Sequence, residues 1–327
     1  MRAAYYEELG AARDVLKLGE METPEPGPGE VRVKLAASGV NPSDWKARLR
    51  GRFGKLPFPR IIPHSDGAGV VDAIGNGIDA GLMGQRVWTL NGQWKRPFGT
   101  AAEYIVLPRR YVVPTSEHAG DEEAACFGIP FLTAHRAVLF DGPVDGRTLL
   151  VQGGAGAVGH QAIQIAKHAG ARVITTVSSA EKADYVKAAG ADEVINYRDE
   201  DVPERVEALT GGMGADRIVE VDIAANGLLY GRILAPGGTS IIYGTGQPTA
   251  QVPSQNFIMR AAALKWFIVY ELTEAEIAEG VSCLNQMLAA GALATTIAAR
   301  FPLDDIAAAH EMVEAAKHMG NVILEMD

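Results

Sequence analysis

Three glycines at fixed spacing, Gly154, Gly156 and Gly159, stand between an apolar run and a helical pattern. Gly-x-Gly-x-x-Gly is the spacing of a turn that cradles a pyrophosphate. The first glycine permits the tight turn out of a strand. The second lets the backbone approach the diphosphate, and the third lets helix and strand pack closely. The helix that follows offers unpaired N–H groups, those of Ala157 and Val158 foremost, and the positive end of its dipole. Such a turn means little alone, because glycine-rich turns are common. Here Thr148 to Val151 reads as a buried strand before it, Gln161 to Ala169 as a helix after it, and Ala171 to Val177 as the next strand. That is the context a dinucleotide-binding unit needs.

A second clue lies at the end of that next strand. NAD-binding chains place a carboxylate about 20 residues beyond the glycines, on the ribose 2′-hydroxyl. This chain reads Ser178-Ser179-Ala180-Glu181-Lys182, with Glu181 already in the following helix. Ser178 and Ser179 can hydrogen-bond a 2′-phosphate and Lys182 can neutralise it. NADPH is therefore expected over NADH, against the plainer reading of Lys182 as a solvated helix lysine.

The scaffold for these residues follows from the rest of the chain. Its 327 residues suggest two domains, and a hydrophobic content of 47% with 21% charged residues supports a sizeable core. A net charge of −10 disfavours nucleic acid or an anionic membrane as an obligate partner. The two cysteines, Cys126 and Cys283, supply no disulfide framework or thiolate cluster, as in a reducing cytosol. The N-terminus lacks the apolar core of a signal peptide, and no apolar stretch reaches transmembrane length. A cytoplasmic location is expected.

Residues 1 to about 120 read as short strands and Gly/Pro turns, with strands at 31–40, 67–74, 86–90 and 101–107. This suggests a small barrel-like β domain with no dominant helical period. From Asp121 strands and helices alternate. Strands are expected at 148–151, 171–177, 193–196, 217–221, 239–243 and 264–269, with helices at about 158–169, 181–189, 202–210 and 225–234. The rhythm is that of a doubly wound parallel sheet. A helix over 273–289, a strand over 295–301, a helix over 303–317 and a strand over 321–326 follow, and these return to the first domain.

Four stretches carry a resemblance: Ala37 to Asp44, Ile62 to Val71, the glycine turn at 151–159, and Gly190 to Tyr197. Over nearly its whole length the chain resembles the zinc-independent quinone oxidoreductase (zeta-crystallin-like) branch of the medium-chain dehydrogenase/reductase superfamily. The resemblance implies a fold of α/β class: a GroES-like β-barrel catalytic domain, residues 1–121 and 270–327, and a six-stranded Rossmann domain, residues 122–269. It implies a nicotinamide in the cleft between them.

Zinc-dependent members place a Cys where this chain has Asn41, and Gly-His-Glu where it has His64-Ser65-Asp66. Their third ligand aligns near Ile129, three residues from Cys126. A catalytic zinc needs three converging protein ligands, so no metal is expected. Without that Lewis acid, oxidation of a simple alcohol is disfavoured. The expected reaction is hydride delivery to a conjugated acceptor: a quinone, enone, enal or acrylate.

The resemblance also suggests roles. Asn41 would bond the nicotinamide ribose or the substrate oxygen, against a plain turn role before Pro42. Asp44 is expected to cap the helix that follows. Phe53 and His64 would line the substrate, with a structural role the alternative for His64. Thr133, Tyr197, Tyr243, Gly244, Thr245, Phe267, Ile268 and Asn321 join the glycine turn as expected cofactor contacts. Thr133 could instead bond its own helix backbone. Tyr243 is the one phenol suited to proton donation, but solvent is expected to supply the proton. The apolar edge near 264–270 invites pairing into a homodimer. Two other readings stand beside this one: a cofactor-binding protein with little turnover, crystallin-like or RNA-binding, and a zinc alcohol dehydrogenase.

Overall fold

A computed structural model describes residues 1–52 and 54–326. They form two compact units, Met1–Ile129 with the chain from Thr295 on, and Pro130–Ala294.

In the first unit β1 (Arg2–Tyr5) and β2 (Lys17–Glu20) make an antiparallel ribbon. Its main sheet is built on β3 (Glu30–Val40), β4 (Asp66–Ile74), β5 (Arg86–Thr89), β6 (Tyr104–Pro108) and β7 (Val112–Pro114). β3 shows why: Val31, Val33 and Leu35 point inward while Arg32 and Lys34 point out, the two-residue period of a half-buried strand. Those three pack on Val71, Val87, Ile105 and Leu107.

The second unit holds β8 (Thr148–Val151), β9 (Arg172–Val177), β10 (Glu193–Asn196), β11 (Ala215–Glu220), β12 (Leu234–Ile242) and β13 (Ala263–Trp266). All pair in parallel, in the order β10-β9-β8-β11-β12-β13, the doubly wound arrangement. Leu149, Leu150 and Val151 are all fully buried, as expected of a strand covered on both faces. The chain then returns to the first sheet through β14 (Ile297–Pro302) and β15 (Asn321–Glu325), with β15 antiparallel to β3.

The structure departs from the expectations in three places. The helix expected after Asp44 begins earlier, at Pro42, and runs to Arg50 within a stretch otherwise read as strands and loops. Pro42 starts it in the first helical position, but its buried residues are Asp44, Ala47 and Arg48, so it carries no apolar period. Residues 225–234 form short turns, Ile223–Asn226, Gly227–Leu229 and Tyr230–Ile233, rather than one helix. The unit boundaries also fall later than expected at both crossings. Helix Glu274–Ala289 stays with the second unit, because Gly280 lies against Leu132 there; a Cβ on Gly280 would sit 2.6 Å from that side chain.

Candidate functional site

The second unit carries the glycine turn. β8 ends at Val151 and the helix Ala157–His168 begins after Gly156. Gly153 N–H donates to Thr176 Oγ1 at 3.0 Å and Gly154 N–H to the Thr176 carbonyl at 3.1 Å, tying the turn to the end of β9. The three glycines are needed for different reasons. A Cβ on Gly154 would lie 2.1 Å from Thr175 Oγ1, and one on Gly159 would lie 2.4 Å from the Gly153 carbonyl. Packing of the chain itself requires both. A Cβ on Gly156 would meet only the Gly153 carbonyl, at an ordinary 3.6 Å. Nothing among the described residues demands glycine there, so the open space in front of Gly156 fits a group that must come close to the backbone.

The strand end also fits an anion. Ser179 caps the helix Ala180–Ala188, its Oγ accepting from Lys182 N–H at 3.3 Å, which leaves its own O–H able to donate. Lys182 is half-buried and makes no ion pair among the described residues. Ser178 is half-buried and Tyr197 exposed. Thr133 is 4% exposed, and its Oγ1 has no hydrogen-bond partner, so it does not bond its own helix. This orphaned hydroxyl is a second feature that a bound polar ligand would satisfy.

Tyr243 follows β12, and Gly244 lets it sit against β11: a Cβ on Gly244 would be 2.2 Å from the Val221 carbonyl. Burial, and then the nearby Glu220 carboxylate, push the Tyr243 phenol well above its ordinary value. Glu220 is itself fully buried and accepts from Tyr230 O–H at 2.6 Å and Asn226 Nδ2 at 3.0 Å. Asp222, two residues on, accepts from Gly246 N–H at 2.7 Å and so pins the loop after Tyr243. Sequence reasoning missed this Glu220 cluster; the signal was an acid ending an apolar strand. Phe267 N–H bonds the Ile242 carbonyl, and Ile268 is 45% exposed just beyond β13.

In the first unit the segments that the resemblance aligned with a zinc site meet around a carboxylate. Asp66, fully buried at the start of β4, accepts from Asn41 Nδ2 at 2.8 Å and from Ile129 N–H at 2.9 and 3.0 Å. A wide turn at Phe127–Phe131, with Pro130 inside it, aims the Ile129 N–H at the carboxylate. The segments that the resemblance aligned with a zinc site thus meet as an amide, a backbone N–H and a carboxylate that holds both. Cys126 is buried, and burial and the Asp66 charge push its thiol well up. Among the described residues no three His, Cys, Asp or Glu are placed to hold a metal. The donor set does not fit zinc.

Asn41 itself is 5% exposed and caps the helix Pro42–Arg50. The expected N-cap, Asp44, instead sits three residues inside, where its carboxylate accepts from Asn41 N–H at 2.7 Å. Burial pushes Asp44 up to about 7, opposed by that hydrogen bond and by the charge of Arg52. Burial raises Asp66 well above the usual carboxylate range, opposed by Ile129 N–H.

His64, expected as a substrate-lining or structural residue, lies inside the fold. It is fully buried in a left-handed conformation, φ 73°. Its Nδ1 is 2.9 Å from Ser38 Oγ and its Nε2 is 2.9 Å from His310 Nε2, so both nitrogens are engaged. Burial holds its pKa down to about 3. Asn321, expected as a cofactor contact, is 7% exposed, and both its N–H and its Nδ2 donate to the Thr296 carbonyl. Phe53, the other expected substrate-lining residue, lies outside the described residues.

Residues 27–117 match the alcohol dehydrogenase GroES-like domain family, and residues 157–286 match the zinc-binding dehydrogenase family. The human quinone oxidoreductase is 30% identical over 99% of this chain and 97% of its own. The chain belongs to the quinone oxidoreductase branch of the medium-chain dehydrogenase/reductase superfamily. Its first unit is the GroES-like domain and its second the Rossmann domain. A Burkholderia protein described as 2-haloacrylate reductase is also 30% identical, with 93% of each chain covered. Among solved structures, one described as an NAD-dependent alcohol dehydrogenase has a TM-score of 0.91 at 31% identity and covers both chains fully. A mycobacterial protein complexed with NADPH has a TM-score of 0.88 at 31% identity, covering 99% of this chain and 100% of that one.

Proposed function

We propose that this chain is an NADPH-dependent reductase that delivers hydride to a quinone or an α,β-unsaturated carbonyl, without zinc. The observation that carries the reading is the Asp66 carboxylate at the meeting point of Asn41 and Ile129. An amide, a backbone N–H and a single carboxylate are not the three converging ligands that a Lewis acid able to lower the pKa of an alcohol would need. A conjugated acceptor needs none, because conjugation already makes its β-carbon electrophilic. Relatives described as quinone oxidoreductase and 2-haloacrylate reductase support that acceptor class.

In this reading the turn at Gly154–Val158 would hold the pyrophosphate, Ser178, Ser179, Lys182 and Tyr197 the 2′-phosphate, and Thr133, Tyr243, Gly244, Thr245, Phe267 and Ile268 the nicotinamide end. Bound NADPH supplies the hydride. Asn41, held by Asp66, presents an oriented amide to the ribose or the acceptor oxygen. Tyr243 keeps its proton, since its phenol lies well above the ordinary range, and solvent protonates the product. Positioning in a dry site then provides most of the acceleration.

The neighbour described as NAD-dependent alcohol dehydrogenase shares the fold, and the cofactor preference turns on the end of β9. Purified protein should oxidise NADPH with a quinone, an enone or an acrylate, and prefer NADPH to NADH. Lys182→Ala should weaken NADPH by about 1–3 kcal/mol. Cofactor binding without turnover on any acceptor would favour a binding protein, and equal kcat/KM for the two cofactors would sink the 2′-phosphate assignment.

No helix among the described residues is long and apolar enough to cross a membrane. A cytoplasmic enzyme that dimerises is the associated proposal. β13 ends the six-stranded sheet, and beside it Trp266, Ile258 and Met259 are 59%, 78% and 78% exposed. An open edge with exposed apolar side chains supports pairing with a second copy.

A further inference from the structure

One buried donor in the second unit has no part in the roles above. Gln152 follows β8 and directly precedes the glycine turn. It is 3% exposed, and its Nε2 has no hydrogen-bond partner among the described residues. An unpaired buried N–H destabilises a fold, so native structures satisfy nearly all of them, and an exception needs a cause.

The other end of the same amide is firmly held. Thr176, near the end of β9, donates its O–H to Gln152 Oε1 at 2.8 Å and accepts from Gly153 N–H at 3.0 Å. These two bonds fix which way the amide faces. Turned over, it would bring N–H groups to Thr176 and leave the threonine proton without its acceptor. With Oε1 on Thr176, Nε2 is turned away from it.

The place is one where a ligand belongs. From β8 the chain builds outward through β9 and β10, then resumes on the other side of β8 at β11, so the strand order reverses between β8 and β11. Dinucleotides bind outside the carboxyl ends of the strands at such a reversal. Val151 pairs with Val219, so Gln152 and Glu220 come one residue later on either side of it. Glu220 does not relieve the amide. Its carboxylate accepts instead from Asp222 N–H, Asn226 Nδ2 and Tyr230 O–H.

Two independent features thus meet at the end of β8. Gly156 leaves open backbone, where a Cβ would meet nothing closer than 3.6 Å, and four residues earlier stands an oriented, unpaired amide donor. That amide is tied to β9, whose end leads into Ser178 and Ser179, the side chains assigned above to the 2′-phosphate on the adenosine ribose.

We propose that Gln152 donates from Nε2 to an acceptor atom on the adenosine half of the bound dinucleotide. The proposal rests on the cofactor reading above and adds a contact that NADPH and NADH share. The donor is unpaired in the free protein and gains its partner on binding.

The test is fluorescence titration of NADPH and NADH without any acceptor, with adenosine 2′,5′-bisphosphate as a competitor that carries the adenosine half alone. Urea unfolding checks each ligand-free variant. Gln152→Met is close in length and has no N–H to give. It should weaken NADPH, NADH and the bisphosphate by one common factor, about threefold to thirtyfold. Unchanged affinity would mean that a trapped water serves Nε2 in both states, and would overturn the proposal. So would weaker NADPH with an unchanged bisphosphate, which puts the donor on the nicotinamide half. Thr176→Val removes the hydroxyl that holds the amide. In that background Gln152→Met should still weaken NADPH at least about twofold; an effect that vanishes there would reduce Gln152 to a prop for Thr176 and overturn the proposal. Should Gln152→Met fail to fold, Gln152→Glu decides, because it keeps an acceptor for Thr176 and loses the amide N–H: wild-type affinity in that variant overturns the proposal. Wild type that binds the dinucleotides no better than the variants refutes this contact alone, whereas wild type that binds neither NADPH nor NADH refutes the cofactor reading with it.

Discussion

Replacing Asp66 tests whether this carboxylate has taken over the organising role of a metal. It is fully buried and accepts from two donors, Asn41 Nδ2 at 2.8 Å and Ile129 N–H at 2.9 and 3.0 Å. Asp66→Asn keeps the shape, and an amide oxygen at the Oδ2 position still accepts from both Asn41 Nδ2 and Ile129 N–H, but the new NH2 at the Oδ1 position faces the Ile129 N–H and is left a buried donor without an acceptor. A buried unpaired donor costs about 1–3 kcal/mol. The neutral amide avoids the desolvation of a charge, which offsets part of that. Asp66→Ala strands both donors and should cost about 3–5 kcal/mol. Urea unfolding measures both. For activity, Asp66→Asn should lower kcat/KM with NADPH and a quinone by about tenfold, because the Asn41 amide loses its fixed orientation. Asn41→Ala should lower it by about tenfold to a hundredfold. The decisive measurement is the double variant. If Asp66 acts through Asn41, then Asp66→Asn adds almost nothing to kcat/KM once Asn41 is Ala. Fully multiplicative effects would refute the positioning argument, as would an Asp66→Asn protein within about 0.5 kcal/mol and twofold of wild type.

Gly156→Ala should fold normally, within about 1 kcal/mol, yet weaken NADPH at least about tenfold by fluorescence titration, since its Cβ has room only until the phosphates arrive. Gly154→Ala should instead lose stability by about 1–3 kcal/mol through collision with Thr175 Oγ1; a reversed order of effects would count against the cradle. Tyr243→Phe should cost less than about tenfold in kcat on an enone, and a loss beyond about a thousandfold together with disappearance of a wild-type pH limb would make Tyr243 the acid. The His64–His310 pair should make the fold acid-sensitive. Burial keeps both imidazoles neutral when folded, His64 down to about 3 and His310 well below its ordinary value, the latter aided by the charge of Arg48. The unfolded chain takes up those protons below about pH 6.5, so their contribution is present above that and lost as pH falls toward 3. Asp44 and Asp66, raised by burial, act with the opposite sign: they favour the fold at low pH and lose that as pH rises through their folded values. A comparison with His310→Gln isolates the histidine part: between pH 7.5 and 5 the variant should lose about 2 kcal/mol less stability than wild type, and identical pH slopes would refute the linkage.

The second unit was legible because its signals are local. A parallel strand covered on both faces is a run of apolar residues, so β8 lies where the sequence places it, Thr148–Val151; the edge strand β10, with only Ile195 buried, also lies where expected, Glu193–Asn196, between the Gly190 helix end and the turn after Asn196. The first unit was less so. Helix Pro42–Arg50 buries an acid and an arginine, whose charges are satisfied by Asn41 N–H and by Glu314, and hydrophobic period cannot see a helix whose buried face is polar. The turns at 223–233 were misread for the opposite reason: the apolar spacing is helical, but Gly227 and Gly231 sit where a Cβ would meet the Gln251 carbonyl at 2.5 Å and the Asn256 side chain at 2.9 Å, so backbone packing overrides the pattern.

The site divides along the same line. The glycine turn is read from six consecutive residues, whereas the Asp66 hub joins Asn41, 25 positions away, to Ile129, 63 away. Resemblance alone brought those positions together, and it marked them as places where a metal had been lost rather than where a carboxylate had been gained. A physical signal for the hub was nonetheless present in two glycines. β3 and β4 pair with Gly39 opposite Asp66, and a Cβ on Gly39 would stand 2.3 Å from the Ala125 carbonyl. A Cβ on Gly128 would stand 2.2 Å from Asp66 Oδ1. The sheet and the Ala125–Ile129 segment can close on Asp66 only because neither position carries a side chain. A buried acid held between two such glycines cannot be solvated, so it must find donors, and Asn41 and Ile129 are the donors it found. That necessity fixes the Asn41 amide in place.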